Sequence, residues 1–193
     1  LHSRRAITDP TPGVTRDPIE EKAFILDHPV RLMDTGGFKL DREVGTIEAV
    51  MDELVVSKTI EMLKKADLIV LLLEAGNITG EDEEFINLLR PYWDKVIGAV
   101  NKTEGGRNEQ EAWNFMQFGF KQLYLISAEH GDGITEFAEA IVQNIDFSKV
   151  EEGEEEQIIK ISILGKPNTR KSTLSNRLTH TNASIVSDYA GTT

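Results

Sequence analysis

Ile158-Ile159-Lys160-Ile161-Ser162-Ile163-Leu164-Gly165-Lys166-Pro167-Asn168-Thr169-Arg170-Lys171-Ser172 decides how this chain folds. Its first half is a short, β-branched apolar run that reads as a buried strand. The run passes without a break into Gly165–Ser172, and Thr173–Leu178 after it has helical character. Strand, glycine-led loop and helix, with Lys-Ser at the helix start, is the context in which backbone N–H groups cradle phosphate. In that reading Gly165, Lys166, Pro167, Asn168, Thr169, Arg170, Lys171, Ser172 and Thr173 surround the phosphates. Lys171 neutralises the β- and γ-phosphates, and Ser172 ligates Mg²⁺. One position departs from the pattern. Residue 170 should be glycine, so that backbone can approach phosphate closely, and here it is arginine. A side chain there either obstructs the loop or adds a positive charge to it.

Upstream of this stretch, Leu68–Leu73 and Val96–Val100 read as two more buried strands, and Leu123–Ile126 as a weaker one. Ala23–Leu26 and Val30–Met33 flank Asp27-His28-Pro29, which reads as the turn of an antiparallel pair. Helical periodicity fills Met51–Lys65, Glu81–Leu89, Asn108–Phe118 and Thr135–Ile145. Strands alternating with helices predict an α/β fold, a mostly parallel sheet covered on both faces.

Three further motifs follow strand ends, where ligands bind in open α/β sheets. Asp34-Thr35-Gly36-Gly37 follows Val30–Met33; its aspartate would hold Mg²⁺ and the Gly37 N–H would sense a γ-phosphate. Asn101-Lys102-Thr103-Glu104 follows Val96–Val100. It looks like a guanine-recognition motif with glutamate for aspartate: the carboxylate is kept and one methylene is added. Ser127-Ala128-Glu129 follows Leu123–Ile126 and suits a backbone contact to a base oxygen. Each alone has a plain reading as a turn. Together they point to a guanine nucleotide.

Bulk properties narrow the alternatives. The 193 residues carry 33 acidic and 21 basic side chains, a formal charge of -12, so the surface lacks the footprint of a general nucleic-acid binder. The absence of cysteine removes disulfides and thiolate chemistry. The longest apolar run falls far short of the roughly 20 residues a membrane helix needs, so a soluble, cytoplasmic protein is expected. Ser148–Gln157 holds five glutamates and reads as a solvated linker. It separates 1–147 from a tail at 158–193. Shifting the chain by 178 positions overlays His2 on His180, Ile7 on Ile185, Gly13 on Gly191 and Thr15 on Thr193.

Thr11–Asp17, Asp34–Phe38, Asn101–Glu104, Ser127–Gly133 and Gly165–Leu178 together resemble the Der (EngA) family, bacterial GTPases with tandem G domains that act in assembly of the large ribosomal subunit. The resemblance covers nearly the whole chain. It implies a three-layer P-loop NTPase of the Ras-like G-domain type, with one antiparallel sheet edge and its elements in permuted order. Residues 1–147 resemble a first G domain lacking its own phosphate loop, 148–157 the acidic linker, and 158–193 the start of a second G domain. A ten-residue linker reaches at most about 33–36 Å. That is enough for the late strand to fill the vacant first-strand slot, in the same chain or in a neighbour as a strand-swapped dimer.

The resemblance also implies GTP/GDP, Mg²⁺ and K⁺ as cofactors. Thr15 or Thr193 would contact Mg²⁺, with Thr15 preferred because it leads directly into the strands. Asn168 would coordinate K⁺. Phe38 replaces a water-orienting glutamine, so the monovalent cation would supply the charge an arginine finger otherwise brings. The expected catalytic set is Lys171, Asn168, Thr15 and Gly37, with Ser172, Thr15 and Asp34 on Mg²⁺. The opposing expectation is a hydrolysis-deficient scaffold or partner-binding module whose pocket is compromised at Glu104 and Arg170.

Overall fold

The computed structural model describes residues 19–34, 57–76, 78–104, 106–149 and 158–179. Among the described residues six strands form one sheet: β1 Ile19–Ile25, β2 His28–Asp34, β3 Leu68–Glu74, β4 Val96–Asn101, β5 Leu123–Leu125 and β6 Ile159–Leu164. Their spatial order is β1-β2-β6-β3-β4-β5. β1 and β2 are antiparallel, and every other pairing is parallel. The last strand in sequence therefore lies between β2 and β3, with Val30 paired to Ile159 on one side and Leu68 to Ile161 on the other.

Burial explains the placement. Leu68–Leu73 of β3 is buried at every residue, as are Ile159 and Ile161–Leu164 of β6. Strands apolar on both faces are stable only inside a sheet sandwiched by helices. The start of β6 is also locked by a reciprocal pair: Asp67 N–H donates to the Lys160 carbonyl, and Lys160 N–H donates to Asp67 Oδ2, both at 2.8 Å.

Helices cover the two faces: α1 over 57–65, α2 Gly80–Leu89, α3 Gly106–Ala112, α4 Ile134–Gln143 and α5 Lys171–Thr179. One core packs α4 and α5 (Phe137, Ile141, Leu174, Leu178) against Val70, Leu72, Ile161 and Ile163. The other packs α1, α2 and the α3 region (Leu63, Phe85, Ile86, Phe115) against Ile69, Leu71 and Leu73. The result is the three-layer P-loop NTPase architecture with a permuted order of elements.

Two local expectations are corrected. The β1–β2 turn is Leu26-Asp27, both left-handed (φ 45° and 66°), while His28 and Pro29 already belong to β2. That two-residue turn matches the twist of a hairpin better than a longer one, and Pro29 is accommodated because pairing to β6 begins only at Val30. The continuous helix expected over Asn108–Phe118 is α-helical only to Ala112. It tightens into 3₁₀ turns over Trp113–Phe118 and stops at left-handed Gly119, which brings Phe115 fully into the core. The first residues of the acidic stretch belong to a short 3₁₀ turn, Phe147–Lys149, and the rest of it lies outside the described residues.

Candidate functional site

Three segments meet at the C-terminal edge of the parallel strands: the loop between β6 and α5, the loop after β4, and the loop after β5. Gly165 opens the first. A Cβ there would come 2.4 Å from the Leu72 carbonyl, so only glycine lets the loop leave the sheet against β3. The loop is tied to itself: Thr169 Oγ1 donates to the Lys166 carbonyl at 2.8 Å, and Lys171 Nζ donates to the carbonyls of Gly165 and Lys166, both at 3.1 Å. The Lys171 ammonium is thus parked inside the loop. Burial pushes its pKa below the ordinary 10.5, against the opposing pull of the Asp34 and Glu81 carboxylates.

Ser172, first-turn residue of α5, donates to Asp34 Oδ2 at 3.4 Å, and both side chains are buried. The end of β2 and the start of α5 therefore bring together the two oxygen ligands that the sequence marked for Mg²⁺.

Asn101 stitches the three segments together. Its Nδ2 donates to the Thr169 carbonyl of the phosphate loop at 2.9 Å, and its Oδ1 accepts the Ala128 N–H at 2.8 Å. Thr103 Oγ1 donates to the Ile126 carbonyl at 3.0 Å, binding the loop after β4 to the end of β5. Lys102 takes up left-handed backbone (φ 64°) and pairs with Glu74 at 2.7 Å. Glu104 is exposed. An open cavity of about 630 Å³ lies between Lys166, Pro167 and Asn168 on one side and Glu74, Glu81 and Lys102 on the other.

Arg170 sits at φ 65°, the left-handed region that a glycine would occupy without cost, and its guanidinium pairs with the Glu129 carboxylate at 2.6 Å. The substitution is thus coupled to the loop after β5. Asn168 is also left-handed, at φ 67°, and exposed at the cavity lip. Thr15, Thr35, Gly36, Gly37, Phe38 and Thr193 lie outside the described residues.

Residues outside the sequence motifs also take part, Thr79 and Asp82 among them. Lys166 Nζ pairs with buried Asp82 at 3.0 Å and donates to Thr79 Oγ1 at 3.2 Å. Asp82 and Thr79 also form the capping box of α2. The Thr-Gly-Glu-Asp spelling of that box was a readable signal for the cap, though not for its second partner. Asn108 Nδ2 donates to the Lys102 and Glu104 carbonyls, fixing the loop after β4. Arg177 of α5 donates from Nε to the Ala128 carbonyl (3.1 Å) and from Nη2 to the Glu129 carbonyl (2.5 Å). No spacing rule singles out Asn108 or Arg177.

Comparison with known proteins agrees with this geometry. The family model described as 50S ribosome-binding GTPase matches residues 1–102 and 160–193, both sides of the permutation. The GTPase Der of Treponema pallidum is 46% identical over 195 residues, covering 100% of this chain and 42% of that protein. The GTPase Der of Borrelia garinii is 43% identical over 197 residues, with 100% of this chain and 42% of its own length covered. For the GTPase Der of Aquifex aeolicus the identity is 37% over 197 residues, covering 100% of this chain and 43% of that one. The chain thus spans less than half the length of these relatives. With the family match running through the late loop Gly165–Ser172 as well as the Asp34 motif, the chain belongs to the family of 50S ribosome-binding GTPases, as a Der-type member.

Proposed function

We propose that this chain binds GTP and GDP in a composite site and hydrolyses GTP, as part of a Der-type GTPase that works on the large ribosomal subunit in the cytoplasm. In this reading β6, the phosphate loop and α5, taken from the segment 158–193, serve the unit 1–147 in the same chain. The observation that carries it is the position of Asn101, whose one amide joins the phosphate loop to the base-side loop. That bond joins the late segment to the early motifs across the permutation.

Each residue has a defined task. The backbone of Gly165–Thr169 and the N-terminus of α5 hold phosphate oxygens. Lys171 leaves its carbonyl partners for the β- and γ-phosphates, and its burial makes that exchange favourable, because the incoming anion replaces lost hydration. Ser172 and Asp34 fit Mg²⁺: two hard oxygens, adjacent and buried, supply few enough protein ligands to leave room for phosphate and water. When bound, Mg²⁺ offsets the charge that develops on the phosphates during transfer. Asn168 offers an amide oxygen for K⁺ at the cavity lip, Thr15 the second hydroxyl for Mg²⁺, and Gly37 the N–H that senses the γ-phosphate. Glu104 accepts from the guanine N1 and N2 groups, with Lys102 held beside it by Glu74. Phe38 has no hydrogen bond with which to orient water.

The net charge of -12 argues against direct RNA binding by this piece, and among the described residues no helix is long and apolar enough to cross a membrane. Titration calorimetry with GDP and a non-hydrolysable GTP analogue, in Mg²⁺ and K⁺, tests the binding reading; phosphate release in the same buffer tests turnover. Absence of both would sink it.

One observation favours the second reading, a hydrolysis-deficient scaffold: the Arg170–Glu129 pair spans the two loops between which a nucleotide would lie. Binding without phosphate release, with release gained in Arg170→Gly, would select that reading.

A further inference from the structure

The loop after β5 holds its peptide groups in an unequal way. Ala128 N–H is taken by Asn101 Oδ1, His130 N–H by Ser127 Oγ at 3.2 Å, and Gly131 N–H by the Ser127 carbonyl at 2.7 Å. Ser127 N–H goes to the Asp132 carbonyl at 2.9 Å, closing the turn on itself. Among the described residues no acceptor takes the Glu129 N–H. The carbonyl that shares its peptide plane, that of Ala128, is the one Arg177 Nε holds.

A peptide is planar, and this one is trans, so its C=O and N–H point in opposite directions. Arg177 draws the Ala128 carbonyl towards α5 and thereby turns the Glu129 N–H to the other side of the loop. Its second bond, to the Glu129 carbonyl, fixes the next plane as well. The planar guanidinium holds the two successive carbonyls through two separate nitrogens at a fixed spacing, which a single ammonium on a flexible stem does less rigidly. The Glu129 side chain is drawn to Arg170, so the residue faces the phosphate loop and not away from the site.

We infer that Arg177 is a positioning residue for base selection, aiming the Glu129 N–H as the donor that reads a 6-oxo purine. This rests on the nucleotide-site reading above. A fixed N–H donates to the carbonyl oxygen of guanine or hypoxanthine and meets the amino group of adenine donor against donor. The 2-amino group is read elsewhere, by Glu104. Inosine nucleotides therefore separate the two readers. The preference for GDP over IDP reports the 2-amino contact of Glu104 alone. That for IDP over ADP contains the Glu129 N–H together with the N1 contact of Glu104, so a change in the second ratio with the first unchanged belongs to the Glu129 N–H.

Calorimetric titration of wild type, Arg177→Met and Arg177→Lys with GDP, IDP and ADP, in Mg²⁺ throughout, tests this. Arg177→Met should lower the preference for IDP over ADP about tenfold, the value of one well-aimed hydrogen bond, and leave that for GDP over IDP unchanged. Arg177→Lys should fall between. Unchanged IDP-over-ADP preference in both variants, or an equal fall in both ratios, would overturn the inference. Should Arg177→Met lose its fold, the Glu129 amide resonance of the wild type decides. It should shift on binding GDP and IDP but not ADP, and a Glu129 amide unmoved by bound GDP would overturn the assignment. If the wild type binds neither GDP nor IDP, the nucleotide reading itself fails and the inference falls with it. Wild-type binding that Arg177 does not tune overturns the inference alone.

Discussion

Ser172 Oγ lies 3.4 Å from Asp34 Oδ2, although the two residues are separated by 138 positions and by four strands of the sheet sequence. Both are buried and both present hard oxygen donors. In Ser172→Ala the affinity for GTP in excess Mg²⁺ should fall about tenfold or more, towards the value wild type shows with EDTA. Fluorescent-nucleotide titration with and without chelator checks this, and a variant that keeps the full Mg²⁺ response would show that the two oxygens do not share a cation.

Arg170→Gly changes three energies, one favourable and two unfavourable. Relief of left-handed strain gains about 1–3 kcal/mol. Loss of an exposed ion pair costs about 0–1 kcal/mol, and the freer unfolded chain costs about 0.4–1 kcal/mol. Stability in urea should therefore stay level or rise by about 1–2 kcal/mol. Affinity for GDP should rise severalfold, because backbone at 170 can then close on phosphate. A weaker GDP complex would mean that the arginine contributes charge to the site.

Half-buried Lys166 pairs with buried Asp82, with side-chain exposures of 16% and 1%. Removing one partner strands the other away from water. Lys166→Met should cost about 2–3 kcal/mol in urea unfolding, because the Asp82 carboxylate then keeps only Thr79. Adding Asp82→Asn to it should recover more than half of that cost, the signature of a coupled pair. Simple additivity of the two changes would refute the coupling.

Lys171 gives a pH dependence with a definite sign. In the nucleotide- and magnesium-free protein its pKa lies below the ordinary 10.5, so the unfolded chain binds more protons than the folded one between the lowered value and 10.5. Stability rises with pH in that window. The burial penalty is present in full below the lowered pKa and is gone above 10.5. Relative to Lys171→Met, wild type should gain stability as pH is raised towards 10.5, followed by urea midpoints. A difference that does not vary with pH would contradict the burial effect.

Much of the fold was legible because its signals are local. The apolar runs of β3, β4 and β6 can only be central strands, and the glycine-led loop after β6 can only leave the sheet at its C-terminal edge. The slot taken by β6 follows from the permuted motif order once the linker's reach is considered. What escaped reading depended on contacts between distant segments. The hairpin turned on Leu26-Asp27 because tertiary register outweighed the turn preference of Asp-His-Pro. Arg177 and Asn108 act on carbonyls, and a carbonyl carries no sequence identity for a partner to reveal. Arg170 was visible as a departure from glycine, but its tie to Glu129 needed two loops brought face to face.

The place of β6 has a kinetic side. Among the described residues the sheet joins the hairpin of β1 and β2 to the three-stranded set β3-β4-β5 through β6. Within the described residues the facing edges of β2 and β3 have no ladder partner until β6 enters between them. Their contacts with β6, such as residue 30 with 159, are among the most distant in sequence. Such high contact order slows folding. The sheet is closed at its centre, and a lesion in β6 should divide it instead of trimming it.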